Sequence, residues 1–140
     1  MDYRELAIKA FEAQKRAYTP YSHFGVGAAL LCSDGTVYGG CNIENSAYSV
    51  ANCAERTALF TAVYEGHRDF QAIAIVGKPD EAQEFDTCSP CGVCRQALSE
   101  FCDVETFDVI LAKTPDDYQV YKLKELIPLN FNAANLTKKS

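Results

Sequence analysis

Apolar and polar residues follow one another along this chain in the manner of a domain that mixes helices with buried strands. Apolar residues at helical spacing predict a helix that is capped by Asp2 and runs to about residue 17. Short apolar runs bounded by turn residues predict five strands: 24–32, 36–43, 72–76, 107–112 and 118–123. Further helices are predicted at 53–65 after an Asn52 cap, at 91–101 after Pro90, and in one turn at 124–127.

The order of these elements, α-β-β-α-β-α-β-β-α, predicts the fold class. Strands that alternate with helices indicate an α/β domain in which helical layers cover both faces of a central sheet. We therefore predict a three-layer α/β/α sandwich with a central mixed five-stranded sheet, because the opening hairpin is antiparallel. The length of 140 residues is that of one domain, and residues 1–140 contain no linker, repeat or low-complexity segment.

Charge and composition narrow the classes of partner. The net charge is −6 and no basic stripe is present, so we expect a small free substrate and no nucleic acid. No apolar run approaches the ~20 residues that span a bilayer, so no membrane partner is expected. The first residues lack the basic and apolar regions of a signal peptide, which predicts a cytoplasmic protein.

Two groups of cysteines carry the candidate chemistry. In a reducing compartment, clustered cysteines indicate metal binding or reactive thiols rather than a disulfide framework. Cys53 is followed two residues later by Glu55, and Cys91 and Cys94 form a C-x-x-C pair after Pro90. Three thiolates can hold a zinc ion and leave its fourth position open, and a nearby carboxylate can then act there as acid or base.

Both cysteine groups coincide with predicted helix starts. Unpaired backbone N–H groups carry partial positive charge at a helix start, which favours the thiolate form that binds metal. Cys91 and Cys94 share a helix face, and a second helix start at the same sheet edge would bring Cys53 to the same ion. Because three thiolates weaken zinc as a Lewis acid, we predict that the Arg56 guanidinium hydrogen-bonds one of them and tunes the metal.

The spacing alone leaves other assignments open. Cys88 and Cys91 also form a C-x-x-C pair, although Pro90 favours a helix that pairs Cys91 with Cys94 and leaves Cys88 in the loop. Together with Cys53, these cysteines could instead close a structural zinc site in a non-enzymatic interaction module. An iron–sulfur cluster is disfavoured because a fourth cysteine is missing at the required spacing. The remaining cysteines are interpreted as core residues: Cys32, Cys41 and Cys102.

The C-A-E and P-C-x-x-C pair resembles the signature of the zinc nucleoside and nucleobase deaminases, in the form with three cysteines. The resemblance to small cytidine deaminases extends over most of the chain, in the segments 20–29, 41–45, 53–56, 89–96 and 126–131. His23 and His67 match no metal position of these segments and are interpreted as non-ligands.

This resemblance implies an enzyme that hydrolyses cytidine and deoxycytidine to uridine and deoxyuridine plus ammonia, in pyrimidine salvage. It implies one Zn²⁺ per chain, held by Cys53, Cys91 and Cys94, whose bound hydroxide attacks C4 of the base. Glu55 is then the proton shuttle, which takes the proton of the water, delivers it to N3, and next protonates the departing amine.

The resemblance also implies substrate contacts and an assembly. Asn42 and Glu44 match residues that contact the ribose hydroxyls, and Phe24 matches an aromatic residue that packs on the pyrimidine. The backbone of Ala54 matches a contact to the base, and Phe131 matches an aromatic residue that reaches into a neighbouring subunit. Small members of this family are homotetramers, so shared active sites are expected.

An enzymatic alternative uses the same two motifs. Deaminases of a cytosine-containing antibiotic such as blasticidin S share both C-A-E and P-C-x-x-C. Arg56 and the segment that contains Phe131 favour cytidine over the antibiotic as the substrate.

Overall fold

A computed structural model describes residues 1–136. The helices and strands are numbered in chain order, and a 3₁₀ turn at Tyr48–Val50 precedes α2. They are α1 (Tyr3–Gln14), β1 (Phe24–Cys32), β2 (Val37–Cys41), α2 (Ala54–Tyr64), β3 (Phe70–Pro79), α3 (Gly92–Phe101), β4 (Asp108–Thr114), β5 (Asp117–Lys122), α4 (Leu123–Leu126) and α5 (Ala133–Leu136).

The five strands form one sheet in the order β2-β1-β3-β4-β5. The β1–β2, β1–β3 and β4–β5 pairs are antiparallel, and only β3 and β4 run parallel. The parallel pair is joined by a crossover that contains α3, as a parallel connection requires. The predicted mixed five-stranded sheet is therefore confirmed.

Alternating side chains of the central strands build two separate cores. On one face, Leu30 of β1 and Ile73 and Ile75 of β3 pack with α2 and α3. On the other face, Leu31 of β1 and Val76 of β3 pack with α1. Helices thus cover both faces of the sheet, which confirms the three-layer α/β/α sandwich.

The α1 layer lies unusually close to the sheet. A Cβ atom placed on Gly27 of β1 would lie only 2.2 Å from the Ala10 carbonyl oxygen of α1 and 2.4 Å from the Gln14 nitrogen. The facing residues of β3 are also small, namely Ala72 and Ala74. The glycine and alanine positions of these strands therefore allow the helix backbone to approach the sheet.

Several predicted boundaries differ from the structure. The first helix ends at Gln14 rather than residue 17, because turn-type bonds from Arg16 and Ala17 replace the helical pattern. The second strand spans Val37–Cys41 rather than 36–43, since Ile43 instead bridges to residues outside the named strands. The third strand spans Phe70–Pro79 rather than 72–76, because it pairs along the whole nine-residue length of β1.

Within residues 1–136, no helix is both long and apolar enough to cross a membrane.

Candidate active site

Two helices begin with a cysteine in the position that normally caps the helix. Cys53 is the N-cap of α2 and Cys91 is the N-cap of α3, and neither side chain makes a capping hydrogen bond. A serine, aspartate or asparagine there would ordinarily accept a bond from the first-turn N–H groups. The prediction that Asn52 caps α2 is wrong, since its amide donates to the Thr57 hydroxyl at 3.1 Å. Both thiols are therefore left for another role.

Cys53, Cys91 and Cys94 form one group, which we call the thiol cluster. The Sγ atoms of Cys53 and Cys91 are 3.7 Å apart, those of Cys91 and Cys94 are 3.5 Å apart, and all three lie within 4.8 Å of one another. Tetrahedral zinc with Zn–S bonds of about 2.3 Å places its sulfur ligands about 3.8 Å apart. The cluster fits a zinc ion, and it does not include Cys88.

The electrostatic surroundings favour a thiolate in the thiol cluster. Hydrogen bonding from the Cys94 thiol, followed by that from the Arg56 guanidinium, lowers the pKa of Cys53 to about 5. The Arg56 Nη2 atom donates to the Cys53 sulfur at 3.4 Å. The contact that the sequence predicts between Arg56 and a thiolate is therefore present in the structure.

Glu55 is a carboxyl group buried beside the thiol cluster. It lies in the first turn of α2, and only 4% of its surface is exposed. Burial, together with the nearby charge of Cys53, raises the pKa of Glu55 to about 7. A carboxyl group with a pKa near neutrality can both accept and donate a proton in a site that excludes water.

Cys88 and the aromatic ring of Phe24 both lie against Gly77 of β3. A Cβ atom on Gly77 would lie 2.9 Å from the Cys88 sulfur and 3.0 Å from the Phe24 Cε1 atom, so this glycine admits both side chains. Burial, and then the charges of Glu55 and Cys53, raise the pKa of Cys88 to about 11. Cys88 is therefore a neutral thiol next to the site.

Glu44 is held as a carboxylate at the edge of a surface cavity. Its Oε1 atom accepts the backbone N–H groups of Tyr21 and Ser22, each at 3.0 Å, and its Oε2 atom accepts the Ser22 hydroxyl. The Ser22 side chain makes the largest contribution to lowering the pKa of Glu44. The cavity has a volume of about 310 Å³ and is lined by Tyr21, Ser22, Glu44, Asn45, Tyr48 and Ala51.

Asn42 uses its side chain to hold the start of β1. Its Oδ1 atom accepts from the Val26 N–H at 2.9 Å, and its Nδ2 atom donates to the Phe24 carbonyl at 2.8 Å. The backbone of Phe24 is therefore held by Asn42, while the residue as a whole remains 36% exposed. Glu44 and the cavity residues do not belong to the thiol cluster, whereas Phe24 contacts the region of Cys88 and Gly77.

The C-terminal segment is fastened to the start of α3. Arg95 donates to the Pro90 carbonyl at 2.8 Å and to the Leu126 carbonyl at 2.7 Å. Gln96 donates to the Phe131 carbonyl at 2.6 Å, and Phe131 is 57% exposed. No role is predicted from the sequence for Ser22, Arg95 or Gln96, and the signal that could have found them is their position inside the segments 20–29 and 89–96 that resemble cytidine deaminases.

Comparison with known proteins shows which family this chain resembles. Residues 2–110 match the family model of the cytidine and deoxycytidylate deaminase zinc-binding region. A cytidine deaminase of Sporosarcina psychrophila is 47% identical over 98% of this chain and 96% of its own length. The crystal structure of a cytidine deaminase from Burkholderia pseudomallei has a TM-score of 0.84 and 44% identity, covering 94% of this chain and all of that one.

A more distant relative acts on a different kind of molecule, according to its name. A blasticidin-S deaminase of Bacillus cereus is 33% identical over 91% of this chain and 90% of its own length. The family match, the full-length relatives and a thiol cluster able to hold a metal agree with one another. This chain is an enzyme of the zinc-binding cytidine and deoxycytidylate deaminase family.

Proposed function

We propose that this enzyme hydrolyses cytidine and deoxycytidine to uridine and deoxyuridine, with release of ammonia, and that it serves pyrimidine salvage. The observation that carries the proposal is the burial of the Glu55 carboxyl group directly beside the thiol cluster. A closed structural zinc site would have four protein ligands and no need for a buried acid.

Different residues would hold the metal, transfer protons and offset charge in this reaction. Cys53, Cys91 and Cys94 would hold the zinc ion, which when bound lowers the pKa of a water molecule so that it becomes a nucleophile near neutral pH. Glu55 takes up the proton that this water loses and delivers it to N3 of the pyrimidine ring. After the hydroxyl has added to C4, the same carboxylate takes up the proton of that hydroxyl and passes it to the amine, so that the C4–N bond breaks, a carbonyl forms at C4 and ammonia leaves. Arg56 holds the Cys53 sulfur and offsets the negative charge of the thiolates.

Binding of the nucleoside is assigned to residues around the start of β1. Phe24 packs on the pyrimidine, the backbone of Ala54 contacts the base, and Asn42 and Glu44 contact the ribose hydroxyls. An ionised carboxylate offers about four acceptor positions, and Glu44 already uses three of them within the protein. One acceptor position remains for a ribose hydroxyl at the cavity that Glu44 lines.

The assembly proposed for the enzyme is a homotetramer with shared active sites. Phe131, with 57% of its surface exposed, and Tyr48, with 78% exposed, are large apolar side chains that a neighbouring copy would cover. Light scattering of the purified protein measures its mass directly. A monomer that turns over cytidine at full rate would contradict the shared site.

The decisive experiment follows the ultraviolet loss of cytidine and the zinc content of three proteins. These are the wild type, Glu55→Ala, and the matched control Glu65→Ala, whose exposed glutamate lies at the other end of α2. Glu55→Ala should keep its zinc and lose at least ~10²–10⁴-fold in rate, the contribution typical of general acid–base catalysis. Glu65→Ala should retain the wild-type rate.

Three outcomes would contradict the proposal. Loss of zinc in Glu55→Ala would show that Glu55 is a ligand rather than a proton carrier. Unchanged turnover in that variant would favour a role outside the reaction. Turnover of blasticidin S with none of cytidine would place the enzyme with the antibiotic deaminases, one of which is 33% identical to this chain.

A further inference from the structure

A second group of metal-ligating side chains lies outside the active site. Cys32 at the end of β1, Asp34 in the hairpin turn and His67 after α2 bring one sulfur, one oxygen and one nitrogen within 4.8 Å of one another. We call these three residues the hairpin cluster. None of them belongs to the deaminase motifs, so the proposed reaction does not use them.

The contacts of the hairpin cluster point its ligand atoms toward one another. Asp34 Oδ1 accepts the Thr36 N–H at 2.9 Å, which leaves Oδ2 beside His67 Nε2 at 3.1 Å. The other ring nitrogen, Nδ1, lies 3.3 Å from the Tyr38 hydroxyl. Metal-binding histidines ordinarily have their second nitrogen held by such a polar partner, because it fixes the tautomer and the ring orientation.

The backbone holds the two halves of the hairpin cluster together. The Ser33 N–H donates to the Asp69 carbonyl at 2.9 Å, which joins the hairpin turn to the loop after α2. The His67 N–H donates to the Ala62 carbonyl at 3.0 Å and fixes that loop against the helix end. The three ligand atoms are thus presented by segments already fastened to each other, and little conformational entropy is lost when an ion binds.

The three donor atoms of the hairpin cluster indicate which metal ion it would bind. One sulfur, one imidazole nitrogen and one carboxylate oxygen suit zinc, which accepts all three donors, better than magnesium or calcium, which prefer oxygen alone. A Cys32 thiolate and an Asp34 carboxylate together balance the two positive charges of Zn²⁺. From this geometry we propose that Cys32, Asp34 and His67 bind a second zinc ion, which clamps the β1–β2 hairpin to the end of α2.

This ion is separate from the active-site zinc. Cys53 precedes α2 and His67 follows it, and a helix of 11 residues is about 16 Å long. The hairpin cluster therefore serves the structure of this chain, and its loss should leave deamination unchanged.

The test is a zinc titration of the full-length protein with a chromophoric chelator, together with elemental analysis. Wild type should bind two zinc ions per chain and His67→Gln only one, with equal rates on cytidine. The matched control is His23→Gln, because His23 is the other histidine of the chain, lies outside the hairpin cluster and has its Nδ1 atom 3.8 Å from Asp80 Oδ2. Tyr38→Phe should retain the second ion but bind it about 10–100-fold more weakly.

Cobalt(II) supplies an independent readout, because thiolate ligation produces a near-ultraviolet charge-transfer band. The second cobalt equivalent should add to this band in wild type and fail to do so in Asp34→Asn, a variant that leaves the buried thiol in place. One zinc per chain in wild type would overturn the proposal, and so would two zinc ions per chain in His67→Gln. Neither result would affect the proposed deaminase reaction, whose readout is turnover of cytidine.

Discussion

In both the thiol cluster and the hairpin cluster, three ligand atoms lie within 4.8 Å of one another, but different parts of the fold position them. The thiol cluster stands where two helices begin, and the Arg56 guanidinium contacts one of its sulfurs. The hairpin cluster stands where a strand ends, and its neighbours are the Tyr38 hydroxyl and a backbone turn.

This difference appears in the acidity of the cysteines. Hydrogen bonds and a positive neighbour lower the pKa of Cys53 to about 5, whereas burial and then the charge of Asp34 raise the pKa of Cys32 to about 11. Cys53 is therefore ready to bind a metal near neutral pH, and Cys32 must release a proton to do so. The surroundings of a thiol, rather than the number of nearby ligand atoms, decide how readily it binds an ion.

The largest expected effect comes from removing one sulfur of the thiol cluster. Cys91→Ser should lower the zinc content by one equivalent per chain and abolish deamination, because a serine hydroxyl stays protonated and is a poor ligand for zinc. Cys88→Ser is the matched control, since Cys88 precedes the same helix but lies outside the cluster. Elemental analysis measures both variants. Equal loss of zinc from both would indicate a closed site with four cysteines.

A smaller effect is expected when the positive neighbour is removed. Arg56→Gln should reduce zinc affinity or kcat by about 10–100-fold, the usual cost of losing a partner that holds a metal ligand. Arg56→Lys should recover part of this loss, since lysine keeps the charge without the planar donor group. Competition with a chelator and a rate assay give the two values. An unchanged Arg56→Gln enzyme would mean that the two helix starts alone activate the thiols.

The smallest expected effect is on the free energy of unfolding. It comes from a substitution at the contact between β2 and α2, the helix that begins at the thiol cluster. A Cβ on Gly40 would lie 2.5 Å from both the Ala54 oxygen and the Ala58 nitrogen of α2. A Cβ on the adjacent Gly39 would find its nearest atom at 3.6 Å. Gly40→Ala should therefore lower the free energy of unfolding by about 1–3 kcal/mol, the usual cost of overpacking.

Gly39→Ala is the control for this change and should shift the free energy of unfolding by less than about 0.5 kcal/mol. Urea denaturation monitored by circular dichroism compares the two variants. If both are as stable as wild type, the start of α2 can move away from β2 without cost, and the thiol cluster is not fixed by this contact.

Much of the fold could be predicted from local pattern. The strand at Phe24–Cys32 was predicted with its observed ends because its small and apolar residues are bounded by a turn on each side. The ends of β3 could not be predicted locally, since they depend on pairing with all of β1. The cap of α2 was predicted at Asn52 because asparagine is a common cap, whereas the observed cap is a cysteine.

The residues of the two candidate metal sites also differ in how far the sequence could predict them. Cys53, Glu55, Cys91 and Cys94 stand in short motifs whose spacing reflects a helix start, so they could be found without coordinates. The hairpin cluster could not, because Cys32 and His67 are distant in sequence and meet only when the hairpin folds back on the end of α2. The hydrogen bond from Gln96 to the Phe131 carbonyl could not be predicted either, because every residue has a backbone carbonyl and the residue type does not show which one accepts a bond.

The attachment of the C-terminal segment has a consequence for protein engineering. Arg95 and Gln96 bind carbonyl oxygens of Pro90, Leu126 and Phe131, so they hold the path of the chain without requiring any particular side chain there. Leu129, which lies between the two anchored positions, is fully exposed. Residue 131 can therefore be varied in a library while its backbone carbonyl stays bound to Gln96, whereas residue 129, whose φ is 53°, accepts a narrower range of side chains. Such a library would test whether residue 131 influences which nucleoside analogues are turned over, as the proposed function expects.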